Sequence, residues 1–166
     1  MFNIGDAVFY GVHGVCIVEE INGRDVFGKV SDYYTLRPIY SFRSKVFVPV
    51  ERANKFVELR NVISYEDAES VVHKLKDAEI MWDDDRSARK AKFAVILRNC
   101  IPSELAVLVK TVYLKKKELE AQKKKLHSHD ERALDDAERI LFEELSFVFG
   151  IKREEVSSFI MQKLGL

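Results

Sequence analysis

Cysteine is scarce in this chain. Cys16 and Cys100 are the only two and form no CxxC pair, so neither a metal knuckle nor a disulfide framework is indicated, and buried structural thiols are expected at both. His13, His73, His127 and His129 have no metal-ligand spacing either. No apolar run approaches the 18 or so residues of a membrane span, and no leader of basic then apolar residues opens the chain, so cytoplasmic location without membrane contact is the expectation. A GxxxxGK[ST] phosphate loop is missing, and no Ser/His/Asp order stands out as a catalytic constellation. The chain is therefore expected to be no enzyme, with no cofactor and no small-molecule substrate, a thiol nucleophile at Cys16 or Cys100 being the one formal opening. Net charge is lacking too: 27 basic residues balance 27 acidic ones, whereas nucleic-acid binders usually carry a basic excess.

The distribution of charge alters that last inference. From Arg86 to Lys125 there are twelve basic residues against three acidic ones, a local +9. From Asp130 to Glu155 nine acids face four bases, a local −5. A polyanion meets a patch, not a net charge.

What is present divides near residue 60. Five of the seven glycines precede residue 30, where tight turns call for positive φ. Val15, Ile17 and Ile21 alternate with Cys16, Val18 and Glu20, a period of two that predicts a strand. Tyr33–Leu36 and Lys45–Val48 are rich in aromatic and β-branched residues and predict two more. Asn22-Gly23 predicts a hairpin, with a longer connection because Gly28 also marks a turn, and Pro49 is expected to close the last strand. Short antiparallel strands in so small a segment predict a Tudor-like (SH3-like) barrel.

After Asn61 the period becomes helical. Ser64-Tyr-Glu-Asp67 predicts an N-terminal cap, followed by Ala68, Val71, Val72 and Leu75 facing inward. A loop over Asp77–Asp85 carries the only tryptophan, Trp82, and a second helix is predicted over Arg86–Arg98. Pro102 opens a third, with Leu105, Leu108, Val109, Val112 and Leu119 in one stripe. Ser128-His-Asp-Glu131 has capping-box form and predicts a fourth, which Gly150 stops, and Lys152–Leu164 makes the last. The fold class is α+β in two domains: residues 1–60 a Tudor-like β-barrel, residues 61–166 an all-α helical domain.

Met1-Phe-Asn-Ile-Gly-Asp-Ala-Val-Phe-Tyr10, His13-Gly14-Val15, Tyr33-Tyr34-Thr-Leu36, Val46-Phe-Val-Pro49-Val50, Leu59-Arg60, Trp82 ahead of a basic helix, and Ala137-Glu-Arg-Ile-Leu141-Phe-Glu-Glu144-Leu145 occur in this order. This ordered set resembles the CarD/CdnL family of bacterial RNA-polymerase-binding transcription regulators over essentially the whole chain. The resemblance implies that the N-terminal domain docks on the RNA polymerase β subunit. It also implies that the helical domain contacts promoter DNA at the upstream edge of the transcription bubble, largely without sequence readout, and modulates open-complex stability.

On that resemblance Trp82 is a wedge at the bubble edge, where a flat apolar group fills the gap left by unstacked bases, and Arg86, Arg89 and Lys90 meet phosphates. Arg24 matches a position where the family presents a basic residue to polymerase, the alternative being an ordinary turn charge. Lys45 and Phe47 lie on a segment that is either an edge strand open to a partner strand or an internal barrel strand. The chain departs from the family pattern at Asp83, Asp84 and Asp85, where basic residues are usual: these carboxylates either repel the DNA backbone or cap the following helix. The lysines at 115–117 and 123–125 are read as phosphate contacts or as a solvated helix end. The competing reading is a protein–protein adaptor on RNA polymerase without functional DNA contact.

Overall fold

A computed structural model describes residues 1–26, 29–41, 44–53 and 59–164, with backbone alone at Arg24, Val26 and Lys29. The chain divides into two compact units, Met1–Val62 and Ile63–Leu166.

In the first unit, β1 (Ala7–Tyr10), β2 (Val15–Val26), β3 (Lys29–Pro38) and β4 (Val46–Pro49) are followed by a single helical turn, α1 (Val50–Ala53), and by β5 (Leu59–Asn61). The strands form an antiparallel sheet of order β4-β3-β2-β1-β5. The expected barrel is therefore an open sheet among the described residues, with β4 and β5 as its edges. Both edge strands are short, four and three residues. Pro49 ends β4 but does not end the sheet, because β5 adds to the free side of β1.

Two sequence signals are overridden. Asn22-Gly23 lies inside the β2–β3 ladder, opposite Tyr33 and Asp32, and pairing runs on to Val26 opposite Lys29. A turn at Asn22-Gly23 would forfeit that whole end of the ladder. The turn expected at Gly28 lies outside the described residues. The second override concerns Ile21. Val18 pairs with Leu36 and Glu20 with Thr35, so Glu19 is the extra residue of a bulge, and a bulge advances the face alternation by one. Ile21, in phase with Val15 and Ile17 by spacing, therefore packs against the cluster that holds Cys16 and Val18.

Cys16, Val18, Val8, Tyr34, Leu36, Val48, Ala53 and Leu59 form the buried cluster of this unit, with Phe2 and Tyr10 against its rim. The hydroxyl of Tyr34 accepts a hydrogen bond from the Phe2 N–H at 3.1 Å. Between β1 and β2 a 3₁₀ turn, Gly11–His13, is bracketed by Gly11 (φ 44°) and Gly14 (φ 67°), and His13 stacks on Tyr10 with centroids 5.5 Å apart.

The second unit is helical: α2 (Tyr65–Asp77), α3 (Arg86–Asn99), α4 (Pro102–Ala121), α5 (Ser128–Phe149) and α6 (Val156–Leu164). Ser64 caps α2 as its sequence predicts, accepting from Asp67 N–H at 3.0 Å. Pro102 opens α4, and Gly150 ends α5 at φ 65°. The cap of α5 is a correction: His127, not Ser128, is its N-cap, with Nδ1 accepting from His129 N–H at 3.2 Å. The last predicted helix begins with a 3₁₀ turn, Arg153–Glu155. Leu105, Leu108, Val109 and Val112 of α4 are buried with Leu134, Ala137, Ile140, Leu141 and Leu145 of α5, Val71 and Val72 of α2, and Phe93 and Ile96 of α3. Cys16 and Cys100 are both buried free thiols.

Candidate functional site

In the first unit, of the expected polymerase-facing residues, Phe47 lies on β4, Lys45 just before it, and Arg24 on β2. β4 is an edge strand, and Phe47 on it is 42% exposed although its neighbour Val48 is buried. The alternation follows from the pleat: Val48 faces the cluster beneath, so Phe47 faces out. Phe47 and Val48 share the wall of a cleft of about 360 Å³ with Tyr10, Pro49, Arg52 and Leu59. Lys45, just before β4, pairs with Glu19 at 3.0 Å, and Arg37 pairs with the same carboxylate at 2.5 Å. The bulge is what brings Glu19 to these two cations, and their hydrogen bonds hold its carboxyl below the usual range. Glu19 was not among the expected site residues. Arg24 has its backbone in β2 opposite Ser31, and its side chain lies outside the described atoms.

In the second unit Trp82 sits half-buried on the loop between α2 and α3. That loop is tied down on both sides of the indole. Before it, the Met81 N–H donates to Thr111 Oγ1 of α4 at 3.1 Å. After it, Arg89 Nη1 donates to the Asp83 carbonyl at 2.6 Å. The Arg89 guanidinium lies 4.1 Å from the indole centroid, and Lys115 Nζ lies 5.5 Å from it. Cation–π contacts at such distances are worth about 0.5–2 kcal/mol, more as water is excluded.

Arg89 is held within the helical unit. It is 6% exposed, and Nε and Nη2 donate to the two carboxylate oxygens of Asp130 at 3.2 and 2.8 Å. Its charge is matched inside the protein, where it faces Asp130 and the indole. The reason lies in helical spacing: Arg89, Phe93 and Ile96 follow one another at four and three residues and form the buried stripe of α3. Arg86 and Lys90 stand beside that stripe, are exposed, and make no ion pair among the described residues.

The aspartates after Trp82 serve the backbone. Asp83 Oδ1 accepts from the Asp85 N–H at 2.9 Å, and Asp85 Oδ1 accepts from the Ala88 N–H at 2.8 Å as the N-cap of α3. An acid at this position also suits the positive end of the helix. Asp84 is exposed.

The lysine clusters divide. Lys115 pairs with Glu118 at 2.9 Å, Lys116 with Glu131 at 3.4 Å, and Lys117 with Glu120 at 3.7 Å. Lys110 donates to the carbonyls of Lys76 and Ala78 at 2.6 Å each, closing the C-terminal end of α2. Lys123, Lys124 and Lys125 are exposed beyond the end of α4. Among the described residues no group of three His, Cys, Asp or Glu side chains is arranged to hold a metal, and no helix is long and apolar enough to cross a membrane.

Residues 2–63 match the sequence model of the CarD-like/TRCF RID domain family. The chain is also 25% identical over 162 residues, 96% of its own length and 99% of the other's, to a Bacillus subtilis (strain 168) protein named "Putative transcription factor YdeB".

Proposed function

We propose that this chain, whose residues 2–63 match the CarD-like/TRCF RID domain family, is a cytoplasmic transcription regulator that acts through RNA polymerase and performs no chemistry of its own. The observation that carries this reading is the family match over the sheet, joined to similarity with the Bacillus protein, of nearly equal length, whose name points to transcription.

The docking surface is the outward face of β4, with Phe47 as its apolar anchor and Lys45, paired with Glu19, beside it. On such a strand alternate side chains face opposite ways, and those that face out give a contact its specificity. The partner is the polymerase β subunit, as the resemblance to CarD/CdnL regulators implies, and the sheet acts in the manner of a Tudor-like module. Arg24 is assigned to the same contact on that resemblance.

The helical unit contacts promoter DNA near the bubble edge through Trp82, with Arg86 and Lys90 meeting phosphates and Arg89 supporting the indole from inside. Tethering to polymerase raises the local concentration of this unit at DNA, so weak contacts suffice to change the lifetime of the open complex. The adaptor reading draws its support from Asp83, Asp84 and the internal pairing of Lys115–Lys117.

Photocrosslinkers placed at Phe47 and at Trp82, in a complex with holoenzyme on a forked promoter, test both halves. Crosslinks from position 47 to β and from position 82 to upstream-edge DNA are expected. Crosslinks from position 82 to polymerase subunits alone would establish the adaptor instead.

A further inference from the structure

A buried guanidinium is costly unless its charge and donors are matched. Position 89 lies on the buried stripe of α3 with Phe93 and Ile96, where an aliphatic side chain would satisfy packing alone. Arg89 instead makes three directional contacts that no aliphatic residue could make. Its fork grips both oxygens of Asp130 on α5, Nη1 holds the carbonyl of Asp83, and its plane lies against Trp82. On the other side of the indole the Met81 N–H is held by Thr111, a side chain with no exposed surface.

We propose that Arg89 is a positioning residue for Trp82, and that Asp130 is the anchor that sets Arg89. The pair orients the indole before any partner arrives, so its engagement does not require the loop to be ordered at that moment, which is how preorganisation strengthens binding. The acidic run after Trp82 is then part of the mount: Asp83 supplies the carbonyl that Arg89 holds and a carboxylate for the Asp85 N–H, and Asp85 caps the helix that carries Arg89. What the mount contributes to transcription rests on the reading of Trp82 as a DNA contact, but the positioning is a property of the free protein.

Trp82 is the only tryptophan, so the emission of the full chain reports on it alone. The variant Arg89→Met/Asp130→Leu removes both charges together, leaving none buried and unpaired, and far-UV circular dichroism checks that it folds. Asp130→Asn is the milder second variant. Both are expected to show lower indole anisotropy and greater acrylamide quenching. With holoenzyme on a promoter, the double variant should shorten the open-complex lifetime about tenfold, equivalent to ~1.4 kcal/mol, with polymerase binding unchanged. Native dichroism with unchanged anisotropy and quenching in both variants overturns the positioning role. Altered fluorescence, with Trp82→Ala itself having no effect on the open complex, supports the mount and overturns the DNA reading. If Trp82→Ala shortens the lifetime and the double variant does not, preorganisation by the pair is overturned.

Discussion

On the proposed reading, the salt dependence of DNA binding should separate cations that meet phosphate from those that hold the protein together. Arg86 and Lys90 are exposed, one helical turn apart on α3, and make no ion pair among the described residues. Arg89 stands between them in sequence but is 6% exposed and paired with Asp130 at 2.8 Å. Each phosphate neutralised adds about −0.9 to the slope of log affinity against log salt. Arg86→Gln/Lys90→Gln should therefore make the slope shallower by about 1.8, two contacts' worth. Arg89→Met/Asp130→Leu should weaken binding at every salt concentration while leaving the slope unchanged, because no phosphate contact is lost. Fluorescence anisotropy of a labelled forked duplex, titrated with each protein through a potassium chloride series, measures both slope and intercept. An unchanged slope for Arg86→Gln/Lys90→Gln, or a shallower one for Arg89→Met/Asp130→Leu, would refute the assignment of these roles.

Two further predictions concern stability. Asp130→Ala leaves Arg89 buried without its counter-charge and should lower stability by about 3–5 kcal/mol, far beyond what a surface pair would cost, read as a fall in the urea midpoint. A fall no larger than that of Glu118→Ala, which breaks the exposed pair with Lys115, would show that Arg89 finds other compensation. Glu143 is 5% exposed, and burial pushes its carboxyl above the ordinary value of 4.5. Between those two values the folded state binds more protons than the unfolded one, so this group's contribution to stability falls as pH rises through that window. Glu143→Gln should accordingly raise the melting temperature at neutral pH, with the gain shrinking as pH drops toward 4.5. A gain that is absent at neutral pH, or that grows on acidification, would contradict this.

The helical unit was the more legible in sequence. Its caps and stops are single-residue signals with local causes, such as Ser64, Pro102 and Gly150, and the structure uses each of them. The sheet was less so, because what shapes it is non-local. β5 has only three residues, too few for a period to register, and it is defined by its pairing with β1. The face occupied by Ile21 depends on a bulge that exists only relative to β3. Asn22-Gly23 gives way to the longer ladder around it.

At the candidate site the charge of Arg89 obscured its position. The spacing from Arg89 to Phe93 and Ile96 already marked an inward face, but a cation in a basic run reads as a solvent residue. Asp130 was hidden in the same way, inside a motif with capping-box form. Its partner lies 41 residues earlier in the chain, and nothing local announces the pair. The aspartates after Trp82 were readable as caps, and Asp85 is one.

The central claim is that the edge of the N-terminal sheet docks on RNA polymerase. Its most direct test is equilibrium binding of the full chain to the isolated lobe of the β subunit from the source organism's polymerase, comparing wild type with Phe47→Arg. Phe47 is 42% exposed on β4, so the substitution places a charge at the proposed anchor without entering the buried cluster. The account predicts saturable binding by the wild type and its loss in Phe47→Arg with the sheet intact. Absence of binding by the wild type, or equal binding by both proteins, would contradict it.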